Sequence, residues 1–150
     1  MLQLSICNDK KSLITECFAS EEELYNKWHY RAGDGLEVCI DATYNDVKDL
    51  QDYTLYRMFI EDNKTIGMFG IESNIYLTEF FVKPEYRNKE IISKFMKLVN
   101  SKLKKTWCVA IYNNNTRAID FLVKNSAIKT FELMKNNQQL SVYTMFSGEL

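Results

Sequence analysis

A strand, an amphipathic helix and a second strand follow one another between Ile75 and Tyr112, and this succession constrains the fold more than any other feature of the chain. From Lys89 to Lys105, Ile91, Ile92, Phe95, Met96, Leu98, Val99 and Leu103 fall on one broad helical face; Lys94, Lys97, Asn100, Ser101 and Lys104 fall on the other. Such a helix packs its apolar face on a sheet. Lysines at 102, 104 and 105 favour its C-terminal end electrostatically. The run before it, Ile75 to Val82, ends at Lys83-Pro84, because proline lacks a donor and restricts the residue that precedes it. The run after it, Trp107 to Tyr112, is short and mostly apolar. A strand, helix, strand unit of this kind pairs its strands in parallel.

The flanking sequence adds antiparallel partners. Residues 2 to 7 alternate apolar and polar as a half-buried strand does. Lys10 to about Ala32 reads as two short helices: Leu13, Ile14, Cys17 and Phe18 form one stripe, and Ser20-x-x-Glu23 forms a capping box ahead of Leu24 and Trp28. Gly33-Asp34-Gly35 is a turn, and Leu36 to Asp52 is the least regular stretch, with Glu37 to Ile40 extended and Asn45 to Leu50 open to a helix. Thr54 to Ile60 and Thr65 to Ser73 form a hairpin around Glu61 to Lys64, so three antiparallel strands lie side by side. Asn115 or Thr116 caps a helix to about Ser126, with Ala118, Ile119, Leu122 and Val123 inward. Ile128 to Met134 and Leu140 to Phe146 are a closing hairpin joined by Lys135 to Gln138. With 150 residues this is one α/β (α+β) domain, 1–150: a mixed, mostly antiparallel twisted sheet of six or seven strands with helices on both faces.

Composition narrows the function. A net charge of −1, from 19 Lys+Arg against 20 Asp+Glu, argues against a general nucleic-acid clamp, and the lysines at 94 to 105 read as a solvated helix face. Cysteines 7, 17, 39 and 108 share no ligand spacing with one another or with the single His29, so no metal site is expected. Scattered cysteines of this kind are small buried residues of a reduced compartment, which makes a cytoplasmic location the expectation. Met1 to Cys7 has no basic flank before an apolar block, and no apolar run approaches the ~20 residues that cross a bilayer.

The centre of the chain, Leu77-Thr78-Glu79-Phe80-Phe81-Val82-Lys83-Pro84-Glu85-Tyr86-Arg87-Asn88-Lys89, resembles the GNAT superfamily of acetyl-CoA-dependent N-acetyltransferases through Val82, Pro84, Tyr86 and Arg87. A second block, Asn115-x-x-Ala118-Ile119-x-Phe121, is similar to the start of the helix that follows in that family. The likeness covers roughly residues 53 to 146 and implies acetyl-CoA as co-substrate. Parallel strands that splay apart leave backbone groups with which a pantetheine arm can pair, and Phe80, Phe81 and Val82 are placed for this. A diphosphate needs converging N–H groups at a helix start, where Arg87, Asn88, Lys89, Glu90, Ile91 and Ile92 stand. Asn115 joins them through the second block. Glu90 and Ile92 occupy positions where the family has small residues, and Leu122 stands where many relatives have a proton-donating tyrosine.

The resemblance implies a base for the acceptor amine and an acid for the leaving thiolate. Glu79 is the candidate base, ahead of Tyr76 and Glu72. Tyr112 is the candidate acid, with Tyr143 and Tyr86 as alternatives. His29 and the aromatics Trp28, Tyr30, Tyr44, Tyr53 and Tyr56 belong either to an acceptor pocket or to packing. The expected reaction is direct transfer of acetyl to a primary amine, carried by a small molecule or a protein, in a monomer or homodimer. The other reading is a GNAT scaffold that has lost the reaction and acts as a binding or structural component, including one of a phage or virus.

Overall fold

The computed structural model describes residues 2–20, 53–113, 115–135 and 137–146. The elements are β1 (Gln3–Ile6), α1 (Lys10–Ala19), β2 (Tyr53–Ile60), β3 (Lys64–Glu72), β4 (Tyr76–Val82), a 3-10 turn (Pro84–Tyr86), α2 (Lys89–Lys102), β5 (Thr106–Tyr112), α3 (Thr116–Lys124), β6 (Ile128–Lys135) and β7 (Gln138–Phe146). They build a seven-stranded sheet in the order β1-β2-β3-β4-β5-β7-β6. All neighbours are antiparallel except β4 and β5, the pair that α2 connects.

Adjacent residues of a strand point to opposite faces, and the two cores follow from that rule. On one face Leu13, Ile14, Cys17 and Phe18 of α1 pack on Leu55, Met68 and Phe81. On the other, Phe95 and Val99 of α2 and Leu122 of α3 pack on Phe69, Leu77, Val82, Trp107, Val109 and Tyr143. Met68 and Phe69, like Phe81 and Val82, are neighbours in sequence that serve opposite cores. Trp107 is fully buried and its Nε1–H donates to Asn100 Oδ1 at 3.0 Å, tying α2 to the strand that follows it. Cys17 has no exposed surface, and burial pushes its thiol up to about 12. Native protein is therefore expected to leave Cys17 unmodified by iodoacetamide at neutral pH and to release it on unfolding, which peptide mass spectrometry reads out.

Several boundaries differ from the sequence reading. The helix expected to reach Lys105 stops at Lys102, since Leu103 is extended (φ −111°, ψ 159°) and the chain turns into β5. The next helix stops at Lys124, two residues before Ser126, whose φ of 71° ends the helical path. The final hairpin is tighter than expected, with strands running to Lys135 and from Gln138. β7 lies between β5 and β6, a placement that periodicity does not encode. Ser20 closes α1: its hydroxyl donates to the Cys17 carbonyl at 2.6 Å. Glu23, Leu24, Trp28, His29, the Gly33-Asp34-Gly35 turn and the 36–52 stretch lie outside the described residues.

Candidate functional site

The site begins with an irregularity in β4. Phe80 stands opposite Phe69 and Leu77 opposite Ile71, so Thr78 and Glu79 together face the single residue Gly70. This is a β-bulge, which bends a strand and shifts its alternation by one. Leu77, Phe80 and Val82 consequently all belong to the α2 side, while Thr78 and Glu79 are left for the opposite side. The parallel pairing stops at the same place. Cys108 N–H donates to the Ile75 carbonyl at 2.9 Å, and the β4–β5 register is held at Tyr76–Cys108, with no further pair among the described residues.

Beyond the bulge β4 keeps β3 and parts from β5. Lys83 N–H donates to the Ile66 carbonyl of β3 at 2.8 Å. Period two then turns Phe81 toward β3 as well, and directs the backbone of Phe80 and Val82 into the opening. Of the three residues expected to offer backbone groups, Phe80 and Val82 line the opening; the Phe81 ring packs edge-on against Phe18 of α1, 5.6 Å between centroids. The rings of Phe80 and Phe121, 6.2 Å apart, join β4 to α3 at the base of the opening.

The start of α2 stands at the end of β4. Asn88 Oδ1 accepts from Ile91 N–H at 2.9 Å, and the Asn88 carbonyl accepts from Ile92 N–H at 2.9 Å. These bonds commit residues 91 and 92, so the N–H groups aimed outward by helix geometry are those of Asn88, Lys89 and Glu90. Arg87 folds back: its Nε–H donates to the Val82 carbonyl at 2.6 Å and its guanidinium lies 5.0 Å from the Phe81 ring centroid. Burial lowers the Arg87 pKa below its ordinary value, yet a guanidinium stays charged at neutral pH. A groove of about 570 Å³ runs along α2, lined by Lys89, Ile92, Ser93, Met96, Lys97 and Asn125.

The two bulky residues at the small-residue positions have partners on α2 and its core. Glu90 is exposed and pairs with Lys94 at 3.1 Å, one turn along α2. Ile92 packs its half-buried side chain against the α2 core and walls the groove. Leu122 is 1% exposed, a core residue that holds α3 to the sheet. Asn115 caps α3, its Oδ1 accepting from Ala118 N–H at 3.3 Å.

Glu79 and Tyr112 come together in one respect: they share a face. Trp107, Val109 and Ile111 all point into the α2 core, so Cys108, Ala110 and Tyr112 point the other way, to the side where the bulge leaves Glu79. Glu79 is half-buried and Tyr112 is 8% exposed. Of the other tyrosines, Tyr143 sits in the α2 core and Tyr86 in the 3-10 turn. Tyr76 is exposed. Burial raises the pKa of Cys108, the cysteine beside the opening, and a thiol so held is a poor nucleophile at neutral pH. Sequence reasoning missed Thr78, whose hydroxyl is buried with no hydrogen-bond partner among the described residues. The available signal was the polar pair Thr78-Glu79 interrupting an apolar strand. Among the described residues no group of His, Cys, Asp or Glu could hold a metal ion, and no helix is long and apolar enough to cross a membrane.

A GCN5-related N-acetyltransferase of Rhodopseudomonas palustris superposes with a TM-score of 0.66 over 97% of this chain and 94% of that one, at 14% identity. A probable GNAT-family acetyltransferase of Chromobacterium violaceum reaches 0.69 over 99% and 84%, at 13% identity. The chain has the GNAT fold. Another protein with the GNAT fold, the spermidine N-acetyltransferase of Vibrio cholerae in complex with CoA and spermine, reaches 0.59 over 98% and 96%, at 10% identity. No protein-family model and no curated protein matches the sequence. The likeness is thus one of architecture, and it extends over 97% or more of this chain.

Proposed function

We propose that this protein is an N-acetyltransferase that moves acetyl from acetyl-CoA to the primary amine of a small molecule. The observation that carries the reading is the parting of β4 from β5 at the bulge, which exposes the Phe80 and Val82 backbone beside the N-terminus of α2. A pantetheine arm carries amides of its own and would lie in the opening as an added strand, bonded to those groups. The diphosphate would meet the outward N–H groups of Asn88, Lys89 and Glu90 and the Lys89 ammonium. The groove beyond, with Lys97 and an apolar wall of Ile92 and Met96, suits the nucleotide end. Structural neighbours that include a spermidine N-acetyltransferase support an amine acceptor of low mass.

The reaction then needs two proton transfers. Glu79 takes a proton from the acceptor amine, whose nitrogen attacks the thioester carbonyl. The C–N bond forms, the C–S bond breaks, and Tyr112 donates a proton to the departing thiolate. The raised pKa of the Cys108 thiol supports direct transfer over an acetyl-cysteine intermediate.

Thermal unfolding with CoA tests the reading. A ligand at a hundredfold excess over its Kd adds about 2.7 kcal/mol, which for a domain of this size raises Tm by about 5 to 10 °C. Arg87→Ala releases the Val82 carbonyl and unseats the end of β4; it is expected to remove most of that shift. No shift in the wild type at millimolar CoA would end the acetyl-CoA assignment. A shift undiminished in Arg87→Ala would place the ligand elsewhere.

A further inference from the structure

The end of β4 is held from both layers of the fold. Lys83 follows Val82 of the α2 core, and alternation turns its side chain to the other face, where Phe81 meets α1. There its Nζ–H donates to Glu16 Oε2 of α1 at 2.6 Å, across 67 positions of sequence. The pairs Glu90–Lys94 and Lys129–Glu132, by contrast, each lie within one element. The Lys83 side chain is 12% exposed and that of Glu16 48%, so the ammonium has given up most of its water for this carboxylate. The Lys83 backbone is also the base of the turn that leads to α2. Its carbonyl accepts from Tyr86 N–H at 2.9 Å, and the Pro84 carbonyl accepts from Arg87 N–H at 3.2 Å. Arg87 in turn holds the Val82 carbonyl, and Asn88 beside it caps α2.

We infer that Glu16 is a positioning residue for the cofactor: by holding Lys83 it sets the turn that presents the Asn88, Lys89 and Glu90 N–H groups to the diphosphate. The inference rests on the acetyl-CoA reading above. It gives α1, on the face of Glu79 and Tyr112, a grip on the start of α2, which lies on the opposite face. The sign of the effect separates this role from simple electrostatics. Glu16 is an anion, so through space its removal would favour the binding of a diphosphate. Through Lys83 its removal does the opposite. A mostly buried ammonium left without its partner turns toward water and draws the turn with it, and a displacement of about 1 Å passed on to a site costs as much as about 100-fold there.

Isothermal titration of the full chain with CoA, at a temperature where circular dichroism shows every variant folded, tests the assignment. Glu16→Gln is expected to raise the Kd for CoA by about 10-fold or more. In a Lys83→Met background the same Glu16→Gln change is expected to leave the Kd where it stands, because Glu16 then has nothing to hold. Lys129→Met breaks an ion pair on β6, the strand at the far edge of the sheet, and is expected to leave the Kd at the wild-type value. A Kd unchanged or lowered in Glu16→Gln, even with a lower Tm, would overturn the inference and leave the transferase reading standing. So would a Glu16→Gln effect that persists in the Lys83→Met background, or an equal loss in Lys129→Met. A wild type that binds no CoA would overturn both.

Discussion

Glu79→Gln is expected to lower kcat for amine acetylation by about 10²- to 10⁴-fold, the range that a positioned general base contributes, with little change in the KM for acetyl-CoA. The expectation follows from the bulge. Thr78 and Glu79 together oppose Gly70, so the Glu79 carboxylate leaves the α2 side for the face it shares with Tyr112, beside the opening in which the cofactor arm would lie. Glutamine keeps the shape and the capacity to accept a hydrogen bond but cannot take the proton. In the wild type the acid limb of the pH–rate profile reports the carboxylate together with the acceptor ammonium; in the variant only the ammonium remains. Steady-state kinetics across pH check this. If the variant instead loses thermal stability and keeps the acid limb of the wild type, Glu79 holds the bulge and the base lies elsewhere.

Gly67→Ala is expected to destabilise the protein by about 3 kcal/mol or more, a large part of the 5–15 kcal/mol that holds a typical domain together. Gly67 lies on β3, between β2 and β4. A Cβ built there falls 2.2 Å from the Phe81 carbonyl oxygen, 2.8 Å from Met58 Cε and 3.1 Å from Val82 Cα. Met58 can move its terminal methyl, but the two backbone atoms of β4 cannot yield unless β3 and β4 separate. That displacement reaches Val82, whose carbonyl Arg87 holds and whose backbone lines the opening. Urea unfolding should show a lower midpoint with an unchanged slope, and the CoA-induced thermal shift should fall with it. A variant as stable as the wild type would mean that the β3–β4 spacing relaxes at little cost.

Much of the architecture was legible along the chain because it rests on local periodicity. The β2 and β3 hairpin, the strand that ends before Pro84, the amphipathic α2 and the Asn115 cap all stand where alternation, helical period and turn chemistry place them. The parallel β4–β5 pair followed from the amphipathic helix that connects the two strands. Boundaries erred by two or three residues where the ends of α2 and α3 depend on how the chain enters the next strand.

The candidate site was drawn from residue types, and its arrangement was not legible. Motif spacing brought Phe80, Val82, Arg87 and Lys89 to one corner of the sheet. It did not show that Phe81 turns to β3, that Ile91 and Ile92 N–H groups are spent within α2, or that Glu90 points along the helix to Lys94. Leu122, at the position of a family tyrosine, is core packing, as the helical period at 118, 119 and 122 had indicated.

Among the described residues, the sequence by itself determined which segments are strands and helices, which of their faces are apolar, and where the turns fall, because these depend on residues only a few positions apart. Tertiary structure alone decided that β7 inserts between β5 and β6 and that β4 leaves β5 at Thr78-Glu79. Both outcomes are set by competition among distant strands for the same backbone hydrogen bonds, and that competition is resolved only when the whole sheet is assembled.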